Sequence, residues 1–179
     1  MLQRDNAALV VIDFQDKLLP KISNAKEIVE PTIKLIRFAR ELDIPILWTE
    51  QYPKGLGPTN EAIAHELEGL KPLDKTEFGC LANPGFAQAL SATGRKQLVV
   101  TGIEAHICVM QTVLSALDGH FEVFVAQDTI GSRQPSDREA GIARMERSGA
   151  ELVTSEMAMF EILRQAGTPD FKKVLPLLK

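Results

Sequence analysis

Five short, near-continuously apolar runs are spread along the whole chain. They are "AALVVID" (Ala7 to Asp13), "IPILWTE" (Ile44 to Glu50), "QLVVTG" (Gln97 to Gly102), "FEVFVAQD" (Phe121 to Asp128) and "AELVTS" (Ala150 to Ser155). A strand with one wet face alternates apolar and polar residues, whereas strands covered on both faces of a parallel sheet read as these do. A weaker sixth strand is expected at "KPLDK", Lys71 to Lys75. Parallel neighbours need long crossovers, and helical patterns fill the gaps between the runs. The sequence therefore predicts an α/β chain. Its expected form is a three-layer α/β/α sandwich around a mostly parallel, doubly wound sheet of Rossmann or flavodoxin type.

The helix signals have local causes. Asn24 stands three residues before Glu27, and Ser136 three before Glu139. That is the spacing at which two side chains cap each other's orphan backbone donors. Asn83-Pro84 and Thr168-Pro169 pair a good N-cap with a proline at the first helical position, where its missing N–H costs nothing. Ile28, Leu35, Ile36, Ala39 and Leu42 recur at helical spacing, interrupted by Pro31, where the helix is expected to begin or kink. "TEQYPKGLGPTN", Thr49 to Asn60, reads as a surface loop. It follows the second strand, on the side where open α/β sheets bind ligands.

Size and charge narrow the function classes. With 179 residues, 45% of them hydrophobic, the chain fits one domain over 1–179. Its net charge is -4, and no Lys/Arg cluster exceeds a pair, so nucleic acid is not an expected partner. No apolar run reaches the roughly 18 to 20 residues of a membrane helix, and no secretory signal pattern opens the sequence. With only Cys80 and Cys108 as thiols, the expected location is cytoplasmic.

Asp13, Lys75 and Cys108 each close a predicted strand or lie just past its C-terminal end. All three can therefore meet in one crevice. A carboxylate within reach of a thiol can take its proton, and an ammonium can hold that carboxylate. At a helix start beside a cation, Cys108 is expected to ionise below the usual value of about 8.5. Backbone amides of that helix start could hold an oxyanion.

"ALVVIDFQDKLL", "LDKTEFGCL" and "VVTGIEAHICV" together resemble the isochorismatase-like cysteine hydrolases, which include nicotinamidases and N-carbamoylsarcosine amidohydrolases. The resemblance spans nearly the whole chain. It implies an Asp-Lys-Cys triad at Asp13, Lys75 and Cys108, a cis peptide at Ile103-Glu104, and an oxyanion hole from the backbone amides of Glu104 and Cys108. It also implies a homo-oligomer, a dimer or larger. Nicotinamidases of this family hold a divalent metal with an aspartate and two histidines after the second strand. The stretch from Thr49 to Asn60 has no histidine, so no metal and no other cofactor is expected. "GIEAH" looks like the isochorismatase domain-containing subgroup. Since some isochorismatases acting on a vinyl ether lack the cysteine, its presence favours cleavage of an amide or other C–N bond in a small molecule.

Several other residues flank the expected crevice. Gln15, Trp48, Tyr52, Phe78 and His106 are candidates for the substrate pocket. Core packing competes for Trp48, and a backbone-bonded helix start competes for His106. For Glu104 the backbone amide ranks ahead of the side chain. Asp128 and Thr129 read as structural, and Cys80 as packing. A different function class remains open on the same residues: a thiol redox sensor or ligand-binding protein without turnover, with Cys80 as resolving thiol. A nucleotide binder lacks its glycine-rich phosphate loop here.

Overall fold

The computed structural model describes residues 1–178. Six strands form one sheet: β1 (Ala7–Ile12), β2 (Ile46–Gln51), β3 (Leu73–Lys75), β4 (Gln97–Ile103), β5 (Glu122–Gly131) and β6 (Glu151–Val153). Every pairing is parallel, in the order β3-β2-β1-β4-β5-β6. All six residues of β1 and all seven of β4 are buried, which is why these runs carry almost no polar residue.

The helices α1 (Ala25–Glu41), α2 (Pro53–Leu56), α3 (Glu61–Glu66), α4 (Pro84–Thr93), α5 (Met110–Asp118), α6 (Pro135–Arg147), α7 (Ser155–Leu163) and α8 (Pro169–Val174) complete the layers. Alternation along the strands splits the core in two. Leu9, Val11, Trp48, Val99 and Phe124 pack with α1 and α7 on one face. Ala8, Val10, Ile12, Leu47, Val100 and Val125 pack with α4, α5 and α6 on the other. The sheet order reverses between β1 and β4, so a crevice opens at their C-terminal ends. Gly102 makes that junction possible. Its φ is 143°, and a Cβ there would lie 2.4 Å from the Ile12 carbonyl oxygen.

Some local expectations need correction. The Asn83 and Thr168 side chains do cap, accepting from Phe86 N and Phe171 N. Asn24 precedes α1 without capping it, because its amide instead donates to Ile130 O at 3.1 Å. Helix α6 starts at Pro135, so Ser136 lies within its first turn and the cap position falls on Gln134. Pro31 neither starts nor ends α1, which runs through it. The stretch from Thr49 to Asn60 is less irregular than its composition suggests. It finishes β2, forms α2, and buries Thr49, Glu50, Gln51 and Thr59. Strand β5 continues past Asp128 to Gly131, leaving Asp128 to accept from Ser155 N at 2.7 Å and Ser155 Oγ at 2.6 Å. Among the described residues, no helix is long and apolar enough to cross a membrane.

Candidate active site

Asp13 follows the last residue of β1 with φ 54°, a left-handed conformation that aspartate tolerates better than most residues. Two backbone bonds fix this turn: Asp13 N donates to Thr49 O at 3.2 Å, and Gln15 N to Asp13 O at 2.7 Å. Each carboxylate oxygen then has its own donor. Thr49 Oγ1 donates to Oδ1 at 2.7 Å, and Lys75 Nζ to Oδ2 at 2.7 Å. Both side chains of the ion pair are buried.

Lys75 ends β3, in register with Gln51 on β2. Besides Asp13, its ammonium donates to Gln51 Oε1 at 2.5 Å and to the carbonyls of Glu77 and Phe78 at 3.2 and 3.3 Å. An ammonium has three N–H donors, and this shell engages all of them. Burial is the largest single influence and pulls the Lys75 pKa down, but the Asp13 carboxylate and the nearby cysteine sulfurs together outweigh it, and the ammonium is held above its usual value. Gln51 is itself locked: its Nε2 donates to Thr76 O, and its backbone N and O bond the Gln15 side chain.

Cys108 is buried in a five-residue π-helical turn, Ala105–Val109, that leads into α5. The Glu104 carbonyl accepts from Ile107 N and Val109 N, and the Cys108 carbonyl from Thr112 Oγ1 at 2.6 Å. The Ile103-Glu104 peptide is cis. Contrary to the sequence expectation, the Cys108 thiol is pushed up, not down. Burial is the largest cause, followed by the Asp13 charge, while Lys75 pulls only partly the other way. Cys108 therefore rests as a thiol beside the Asp13–Lys75 ion pair.

The other expected site residues separate. Gln15 is fully buried, and its amide donates to Gln51 O at 3.0 Å and Gly57 O at 2.7 Å, so it ties β1 to the segment after β2. Trp48 points into the α1-side core, on the opposite face of the sheet from Cys108. Strand alternation decides this: Thr49, one residue on, is the one that reaches Asp13. His106 Nδ1 lies 3.0 Å from Ser132 Oγ, and Nε2 lies 3.7 Å from Asp137. Tyr52 and Phe78 are 55% and 54% exposed. Tyr52 joins Pro53, Lys54, Lys75, Thr76 and Asn83 around a cavity of about 320 Å³. A larger cavity of about 480 Å³ lies away from Cys108, beside Asn24, Asp128 and Arg138.

Composition hid three contributors. Thr49 and Gln51 sit at the end of β2, in a stretch whose glycines and prolines read as loop. Arg133, just past β5, donates from its backbone N and Nε to the buried Glu104 carboxylate at 3.0 Å. Only contacts between segments distant in sequence could reveal them. The family's metal set does not fit this chain. Glu50 is the only carboxylate between Thr49 and Asn60, and it accepts from Thr59 N and Oγ1 at 2.7 Å. Among the described residues, no three His, Cys, Asp or Glu side chains converge as a metal site.

Known proteins match this architecture closely. An isochorismatase domain model matches residues 7–157. The mouse isochorismatase domain-containing protein 2A is 37% identical over 178 residues, covering 98% of this chain and 84% of its own. A structure described as the MAR1 ribonuclease from Caenorhabditis elegans superposes with a TM-score of 0.93 at 36% identity, covering 99% of this chain and 91% of that one. The YcaC gene product of Escherichia coli, described as an octameric hydrolase of unknown specificity, gives 0.93 at 25% identity, covering 99% and 88%. The α/β fold and the match over most of the sequence lead to one conclusion: the chain belongs to the isochorismatase domain family.

Proposed function

We propose that this protein is a cysteine-dependent hydrolase that cleaves an amide or other C–N bond of a small molecule through a thioester on Cys108. The observation that carries the reading is the buried Asp13–Lys75 ion pair set against the Cys108 thiol. A buried carboxylate with both oxygens engaged, beside a protonated sulfur, has the roles of general base and nucleophile already divided.

The steps follow from that division. Asp13 takes the thiol proton as sulfur bonds to the carbonyl carbon, and the C=O π pair moves to oxygen. The amides of Glu104 and Cys108 donate to that oxyanion. On collapse the C–N bond breaks, and the amine leaves with the proton from Asp13. Water, deprotonated by Asp13, then attacks the thioester carbon. The acid departs, and the thiol regains its proton. Lys75 remains an ammonium throughout and holds Asp13 in place.

The octameric YcaC relative supports self-association of this chain as well. The ribonuclease name of the nematode neighbour makes RNA a useful control substrate, since a net charge of -4 provides no basic footprint for it. For the sensor reading, burial pushes the Cys80 thiol up to about 11, which makes it a poor resolving group.

Ammonia release should be screened across small amides, ureides and carbamoyl compounds, with RNA cleavage alongside. Turnover of at least one such compound, lost in Cys108→Ser and in Asp13→Asn, is the expected result. If the panel stays silent while mild peroxide joins Cys80 to Cys108, the hydrolase reading gives way to the sensor.

A further inference from the structure

Glu104 is an unusual choice for an oxyanion hole. Its side chain is 8% exposed and therefore carries a buried carboxylate within the residue whose amide is assigned to hold negative charge. Left alone, that carboxylate would oppose the oxyanion in a low-dielectric site. Both of its oxygens are instead engaged by Arg133, Oε2 through backbone N and Nε, and Oε1 through Nε, each at 3.0 Å.

The segment after β5 holds the same turn at other points. Ile103 pairs with Gly131 at the end of the sheet. Ser132 Oγ meets His106 Nδ1 at 3.0 Å. Gly141 of α6 lets that helix approach so closely that a Cβ there would lie 2.9 Å from the His106 Cα. Residues 104–106 are thus braced by one stretch, in which Asp137 faces His106 and Arg133 is the residue that meets the Glu104 carboxylate.

We propose that Arg133 is a positioning residue that neutralises the Glu104 carboxylate, so that the Glu104 amide can stabilise the oxyanion formed at Cys108. The proposal rests on Cys108 being the nucleophile. Losing Arg133 then harms the site chiefly by releasing a buried negative charge, and removing that charge should repair it. A purely structural clasp makes the opposite forecast, because deleting both partners would leave the turn no better held.

A small aliphatic aldehyde tests this without knowledge of the substrate. The Cys108 sulfur bonds to the aldehyde carbon, the π pair moves to oxygen, and the thiol proton passes to Asp13, leaving an oxyanion in the hole. Alkylation by iodoacetamide consumes the same thiol, displaces iodide, and builds no oxyanion. For Arg133→Gln, aldehyde affinity should fall by about tenfold or more beyond any change in alkylation rate. The double variant Glu104→Gln with Arg133→Gln should recover most of that loss, with circular dichroism matching the parent.

Arg133→Gln binding aldehyde as the parent does, or the double variant recovering nothing, would overturn the proposal. A parent that forms no adduct, or a Cys108→Ser variant that binds as well as the parent, would sink the nucleophile assignment and this proposal with it.

Discussion

Lys75 Nζ lies 2.7 Å from Asp13 Oδ2, with neither side chain reaching solvent. The two residues are 62 positions apart in sequence, and the pair joins the ends of β1 and β3 across β2. A buried ion pair adds little to stability over an apolar substitute, but removing one partner strands the other. The pair is therefore best understood as part of the site, with the fold bearing its desolvation cost.

Breaking the pair should be expensive in both directions. Lys75→Met leaves the Asp13 carboxylate with Thr49 alone, and a loss of about 3 to 5 kcal/mol is expected in urea unfolding at neutral pH. The raised Lys75 pKa also has a signed consequence. Its contribution is fully present below the unfolded lysine value of about 10.4 and declines as pH rises through the higher folded value. The parent should lose this increment above that range, and the stability difference from Lys75→Met should shrink there.

Thr49→Val keeps the side-chain shape but removes the donor to Asp13 Oδ1. Stability should fall by about 1 to 2 kcal/mol, since a charge-assisted bond is lost in the interior. Activity should fall more steeply than substrate affinity, because Asp13, the proposed base, loses one of its two side-chain donors. Separating kcat from KM on the best substrate of the amide panel checks this.

How far the site was legible in the sequence depends on what holds each residue. Asp13 and Lys75 could be brought together because they lie at strand ends, which a parallel sheet gathers, and Cys108 lies in the turn that follows β4. Trp48 and Thr49 show where that logic stops. Adjacent strand residues face opposite layers, and the run "IPILWTE" does not say which face is which. Gln51 and Arg133 bond partners in other segments, Lys75 on β3 and Glu104 just past β4, so no spacing within their own segments announces them. The caps at Asn83 and Thr168 were readable because they are local. Asn24 fits the same pattern but is drawn away by a tertiary acceptor, the Ile130 carbonyl.

The direction of the thiol pKa was another quantity the sequence could not supply, since it depends on burial and on Asp13 outweighing Lys75. Iodoacetamide labelling of Cys108 should rise about tenfold per pH unit through the neutral range, without a plateau near the free-thiol value of about 8.5. Peptide mass mapping across a pH series gives this curve. A plateau below that value would mean the thiolate is already the resting form.

Gly102→Ala tests the junction that brings β4 against β1. The new Cβ would meet the Ile12 carbonyl oxygen at 2.4 Å in a conformation that side chains rarely adopt. A loss of about 3 kcal/mol or more, or failure to fold, is expected in thermal or urea melts.

The most direct measurement is acid-quench mass spectrometry during turnover of the best amide found in the panel. An acyl group should appear on the peptide containing Cys108, form no slower than ammonia release, and decay as the acid product accumulates. Turnover with Cys108 unmodified throughout, or with the acyl group on Cys80, and undiminished in Cys108→Ala, would contradict a covalent mechanism at Cys108.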